Sequence, residues 1–183
     1  SRDVDVDAVD GLASNLVGGD TNGVSDTFLR DRLSGTTERV SLATGGAQGN
    51  DGSYHVAISA DGRYVVFDSL AANLVQGDTN GVADVFVRDR VSGTTERESV
   101  DSGGLQGNGG SYIPSISADG RYVVFDSAAT NLVAGDTNGR QDVFIRDRQS
   151  GITERVSLQT GSGQGNGTSA SASISADGRF VAF

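Results

Sequence analysis

Three motifs return along the sequence at a single spacing of 58 residues. Asn-Leu-Val-x-Gly-Asp-Thr-Asn-Gly stands at 15–23, 73–81 and 131–139. Ser-Ala-Asp-Gly-Arg followed by an aromatic stands at 59–64, 117–122 and 175–180, and Gln-Gly-Asn at 48–50, 106–108 and 164–166. Residues 10–183 are therefore three whole periods, 10–67, 68–125 and 126–183, preceded by an arm of residues 1–9. Such a period means one supersecondary unit stacked on copies of itself, because a single unit cannot bury its own apolar face.

One period reads as four strands, and no helical spacing of apolar residues occurs. One run of four shows them as Ser111 to Ile116, Tyr122 to Phe125, Asp142 to Arg148 and Thr153 to Leu158. The turn between the first two, Ala118-Asp119-Gly120-Arg121, uses Asp-Gly to reach positive φ. The second strand is apolar on both faces, the pattern of a sheet covered on both sides. Glycine-rich stretches at 44–52, 102–110 and 161–167 join one unit to the next. The fold class expected is all-β: a four-stranded antiparallel meander repeated as blades.

Composition removes several classes of function. There is no Cys, so disulfide scaffolds, thiol catalysis and Cys-based metal centres are excluded. The net charge of −10 argues against a nucleic-acid partner. No apolar run is long enough to span a membrane. One His, no Lys and no Gly-x-Ser-x-Gly elbow leave no nucleophile–base arrangement, so no enzyme activity is expected. The sequence begins Ser1-Arg2-Asp3 and contains no Met, which predicts removal of a secretion signal and a secreted, extracellular or periplasmic bacterial protein.

Ser-x-Ser-Ala-Asp-Gly-Arg-Tyr-Val-Val-Phe-Asp-Ser, then Asp-Val-Phe-Val-Arg-Asp-Arg, then Thr-Glu-Arg-Val-Ser resembles the WD40-like (PD40) repeat of TolB-type β-propellers. The resemblance covers all three periods and implies propeller blades. The enlarged Asp-Thr-Asn-Gly loop departs from it. Three blades do not close a ring, since known propellers use about four to eight. Phe183 aligns with Phe67 and Phe125, so the last two strands begin a blade whose third and fourth strands lie near the N-terminus. In the arm, Val4, Val6 and Ala8 alternate with Asp3, Asp5 and Asp7, a strand that competes with residues 176–183 for the second-strand place. A fragment of a longer array, a six-bladed dimer and an open head-to-tail filament all satisfy this pattern.

The loops suggest chemistry. Asp-x-Asn-Gly-x-x-Asp recurs as Asp20, Asn22 and Asp26, as Asp78, Asn80 and Asp84, and as Asp136, Asn138 and Asp142. Carboxylates and an amide at alternate positions of a tight loop resemble a shortened calcium loop. A backbone carbonyl near Val24, Val82 or Arg140 would add a ligand, so up to three calcium ions are expected per chain. The competing reading is a plain Asx turn before Asn-Gly. Elsewhere, Arg30-Asp31-Arg32, Arg88-Asp89-Arg90 and Arg146-Asp147-Arg148 predict cross-strand ion pairs. His55 reads as a satisfied or solvated histidine. Tyr54 and Tyr112 serve for sugar stacking or packing, and Asn166-Gly167-Thr168 matches a glycosylation acceptor. The function expected is a secreted, calcium-stabilised structural protein whose partner is itself, joined by strand complementation into a filament or coat. The alternative is a propeller module that binds a glycan or protein ligand.

Overall fold

The computed structural model describes residues 6–161 and 163–183, with side chains from residue 11 onward. In chain order the strands are β1 (Val6–Gly11), β2 (Asp26–Asp31), β3 (Thr36–Arg39), β4 (Ser53–Ile58), β5 (Tyr64–Ser69), β6 (Asp84–Asp89), β7 (Thr94–Arg97), β8 (Ser111–Ile116), β9 (Tyr122–Ser127), β10 (Asp142–Asp147), β11 (Ile152–Arg155), β12 (Ser173–Ile174) and β13 (Val181–Ala182). All pairings between them are antiparallel and sequential. They form a first blade β1-β2-β3, two full blades β4-β5-β6-β7 and β8-β9-β10-β11, and a hairpin β12-β13. Among the described residues no helix is long and apolar enough to cross a membrane.

The Ser-Ala-Asp-Gly-Arg turn is built by its own side chains. Ser59 Oγ donates to Asp61 Oδ1 at 2.6 Å, and the Arg63 N–H donates to the same oxygen at 3.0 Å. Gly62 takes φ +73° and closes the turn, a conformation that costs other residues. The same bonds recur at Ser117, Asp119 and Arg121, and at Ser175, Asp177 and Arg179.

The core lies between blades. Val65, Val66, Phe67, Val123, Val124 and Phe125 are fully buried on both faces of their sheets. Paired in register, Phe67 stacks on Phe86 and Phe125 on Phe144, each at 6.0 Å between centroids. The largest cluster joins Val66, Val85 and Val87 of the second blade to Ile116, Val123 and Phe125 of the third. Leu29, Val40 and Val65 join the first blade to the second. Backbone bonds also cross blades: the Ala60 N–H donates to Ala118 O, and the Ala118 N–H to Ala176 O.

The structure refines three expectations. The second strand runs on through Asp126 and Ser127. The fourth stops at Arg155 because Leu158 turns back to bridge Gln164 across the glycine-rich linker. The first strand carries a bulge between Tyr54 and Ala57 and between Tyr112 and Ser115. The arm supplies β1, which occupies the second-strand place: Val6 pairs with Asp31 as Tyr64 pairs with Asp89 and Tyr122 with Asp147. The strand runs on to Gly11, and Asp3, Val4 and Asp5 lie outside the described residues.

Candidate functional site

Each Asp-Thr-Asn-Gly loop closes on an arginine. Arg39, at the end of β3, places Nη1 3.2 Å from Asp20 Oδ1, 3.0 Å from Asp26 Oδ2 and 2.8 Å from Gln48 Oε1. Arg97 repeats this with Asp78 at 3.3 Å, Asp84 at 3.2 Å and Gln106 at 2.9 Å. Arg155 does so with Asp136 at 3.0 Å, Asp142 at 3.3 Å and Gln164 at 3.1 Å. The second oxygen of the last Asp in each loop accepts a serine hydroxyl, from Ser41, Ser99 and Ser157. Asp26, Asp84 and Asp142 are fully buried, so the charge partner and hydroxyl offset a large desolvation cost.

The asparagine faces the other way from a metal ligand. Asn22 Nδ2 donates to Asp26 Oδ2 at 3.0 Å and to Gly49 O at 3.1 Å, and Asn80 and Asn138 do the same in their loops. Its Oδ1 accepts the N–H two residues on, most closely from Arg140 at 2.9 Å; Val24 and Val82 hold the same place. This is the Asx turn. Three side-chain oxygens thus converge on one guanidinium nitrogen, whereas calcium takes six to eight oxygens. The donor set fits arginine better than calcium. Among the described residues no three acidic or His side chains are grouped to hold a metal. Burial, with the neighbouring Asp84 charge, raises the Asp78 carboxyl against the opposing pull of Arg97. Burial likewise raises Asp136.

The cage arginines and glutamines were not recognisable from the loop alone. Their signal is recurrence: Thr-Glu-Arg and Gln-Gly-Asn keep a constant offset from each loop. The Arg-Asp-Arg motifs act mainly between blades, where cross-strand pairs were expected. Arg90 pairs with Glu38 of the preceding blade, and Arg148 with Glu96 and Glu98. Arg88 donates to Leu42 O and Ala43 O of the preceding blade. Glu98 breaks the repeat: Val40 and Val156 hold its place elsewhere, and it is buried, so desolvation raises its carboxyl against the pull of Arg148. Asp89 and Asp147 receive bidentate forks from Arg63 and Arg121 at 2.7–3.0 Å.

A second group lies on the first strands, where neighbouring blades meet. His55, Ile113 and Ser171 share one register place and all take positive φ, at 44°, 51° and 61°. His55 Nδ1 lies 2.8 Å from Asp68 Oδ1, which also accepts the Ile113 N–H of the next blade. Asp126 accepts the Ser171 N–H in the same way. Tyr54 and Tyr112 fold their hydroxyls back over Gly52 and Gly110.

No protein-family model matches the sequence, and no curated protein matches it. Solved structures do. The chain is similar to TolB from Acinetobacter baumannii at 21% identity and a TM-score of 0.54, over 86% of this chain and 31% of that one. It is similar to a putative TolB from Agrobacterium tumefaciens at 21% identity and a TM-score of 0.54, over 96% of this chain and 53% of that one. The tricorn protease matches at 12% identity and a TM-score of 0.52, over 88% of this chain and 13% of that one. The chain thus spans 31% of one TolB structure and 53% of the other. Its sheets, their order and these likenesses agree: the chain has the fold of consecutive TolB-type β-propeller blades.

Proposed function

We propose that the chain is a propeller module that acts by binding, and that two copies join head to tail to complete it. The observation behind this reading is the poor match of β1 to its strand place beside the good match of residues 180–183. The first blade holds the second, third and fourth strand places, and the hairpin β12-β13 holds the first and second. A strand that fits its place poorly is open to exchange with a better-fitting strand of another chain. β1 matches its place poorly. By register Asp7 stands where Val65 and Val123 stand, and Val9 where Phe67 and Phe125 stand. Residues 180–183, Phe-Val-Ala-Phe, keep the apolar pattern of that place.

In this arrangement β13 of one copy takes the place of β1 in the next and lies beside its β2. By register Glu154 then holds toward the second copy the place that Glu38 holds toward Arg90 and Glu96 toward Arg148. Three blades from each copy make a ring of six, within the range of about four to eight. Its loops would present the ligand surface for a glycan or a protein, outside the cytoplasm. A filament is the other product of the same contact, if the rotation does not close.

Light scattering across a concentration series tests this. The expected particle has twice the 18.7 kDa chain mass. The charge reversal E154R should raise the concentration at which it forms. A wild-type protein that stays monomeric at every concentration overturns the proposal. An open polymer overturns the ring.

A further inference from the structure

We propose that Arg39, Arg97 and Arg155 are the built-in cations of the Asp-Thr-Asn-Gly loops. In this reading the loops take up a divalent ion only when the guanidinium is removed.

The loop sequence asks for a cation, because two carboxylates and an amide converge on a small space. The structure supplies one from within the same blade. The same nitrogen, Nη1, meets the same three oxygens in all three repeats, at 2.8–3.3 Å. A planar guanidinium also does what a spherical ion does not. Its second terminal nitrogen, Nη2, reaches the carbonyl of Gly19 at 3.4 Å and of Gly77 at 3.5 Å. The glutamine completes the cage from the far side of the inter-blade linker. Gln48 accepts the N–H groups of Thr21 and Asn22 at 3.2 Å and donates to Gly19 O at 2.7 Å.

One arginine therefore ties three segments: the loop, the fourth strand and the linker to the next blade. Calcium at the same point would leave the guanidinium buried without its carboxylates, at a cost that strongly opposes exchange. The permanent ion also removes dependence on external calcium. Raised Asp78 and Asp136 carboxyls agree with the count of charges: two carboxylates share one positive group.

The test compares wild type with R97A and R97K in calcium and in chelator. Wild type should melt at one temperature in both, and calorimetric titration with calcium chloride should show no binding. R97K keeps the charge and should remain indifferent to calcium. R97A should melt lower, and ~10 mM calcium should raise its melting temperature by about 3 °C or more. Wild type that loses stability in chelator, or binds calcium at one ion per loop, overturns the proposal. So does a folded R97A that ignores calcium. If R97A does not fold, the wild-type titration alone decides. The result is independent of assembly, since an R97A response is read equally in single chains and in dimers.

Discussion

At the residue scale the chain repeatedly matches arginine forks to aspartates, and the match sets its response to acid. Arg63 sends Nε and Nη2 to the two oxygens of Asp89, and Arg121 does the same to Asp147. These forks, aided by the turn N–H groups of Val91 and Ser92, hold the Asp89 carboxyl well below the usual carboxylate range. A carboxyl depressed in the folded state stabilises above its unfolded pKa of about 4, and that contribution is lost as pH falls through the folded value. Asp68 and Glu98 run the opposite way: burial raises both, so their ionised forms cost stability near neutrality and the cost fades in acid. The substitution D89N keeps an oxygen for the Val91 N–H and loses the charge on the fork. Its melting temperature should fall below wild type at neutral pH, and the gap should narrow as pH falls below about 4. A constant gap across the pH range would show that shape, not charge, is what Asp89 supplies.

At the element scale the strands and their turns were legible because each is specified locally. Asp-Gly fixes the hairpin, and alternating or continuous apolar runs fix which faces are covered. The cage was not, because Arg39 lies 19 residues from Asp20 and nothing local joins them. The bulge was not legible either, since Ile113 is a β-branched residue at φ 51°, which sequence preference argues against. Contact between blades sets a further demand on the turn. Gly120 has φ +72°, and a Cβ there would lie 2.2 Å from Cδ2 of Tyr64 in the preceding blade. Arg148 lies above that Tyr64 ring, 4.6 Å from its centroid. The ring is thus held between a glycine and a guanidinium of the next blade. G120A should cost about 1–2 kcal/mol for the backbone and a further ~1–3 kcal/mol for the overpacked ring. In a Y64A background only the backbone part should remain, which a double-mutant cycle from denaturant melts reads directly. Additive costs would mean that Tyr64 moves aside freely.

At the scale of the whole molecule the strand contacts of the described residues join neighbouring blades, so stability is a sum of blade and interface contributions and need not be even. The second and third blades share a cluster that includes Val66, Val85, Val87, Ile116, Val123 and Phe125. Among the described residues the first and second share Leu29, Val40 and Val65, with Val56 and Ile58 packed beside them. The first blade also lacks the stacked phenylalanine pair, because its Phe28 is paired with Val9 where Phe86 faces Phe67 and Phe144 faces Phe125. Its edge strand brings Asp7 to a place that valine holds in the interior blades. Less buried apolar area means a lower local opening free energy. Native-state hydrogen exchange should therefore rank the chain. Amides of β5, β6, β9 and β10 should exchange only with global unfolding. Those of β1, β2 and β3 should open at lower cost, as a unit. Head-to-tail pairing adds a condition to this order. If β13 of a second copy takes the place of β1, raising the concentration should slow exchange in β2 and β13 together and speed it in β1, which is displaced. Equal protection across all blades at low concentration would contradict the ranking from core area. Slowing in β2 without release of β1 would mean that the second copy adds beside β1 instead of replacing it.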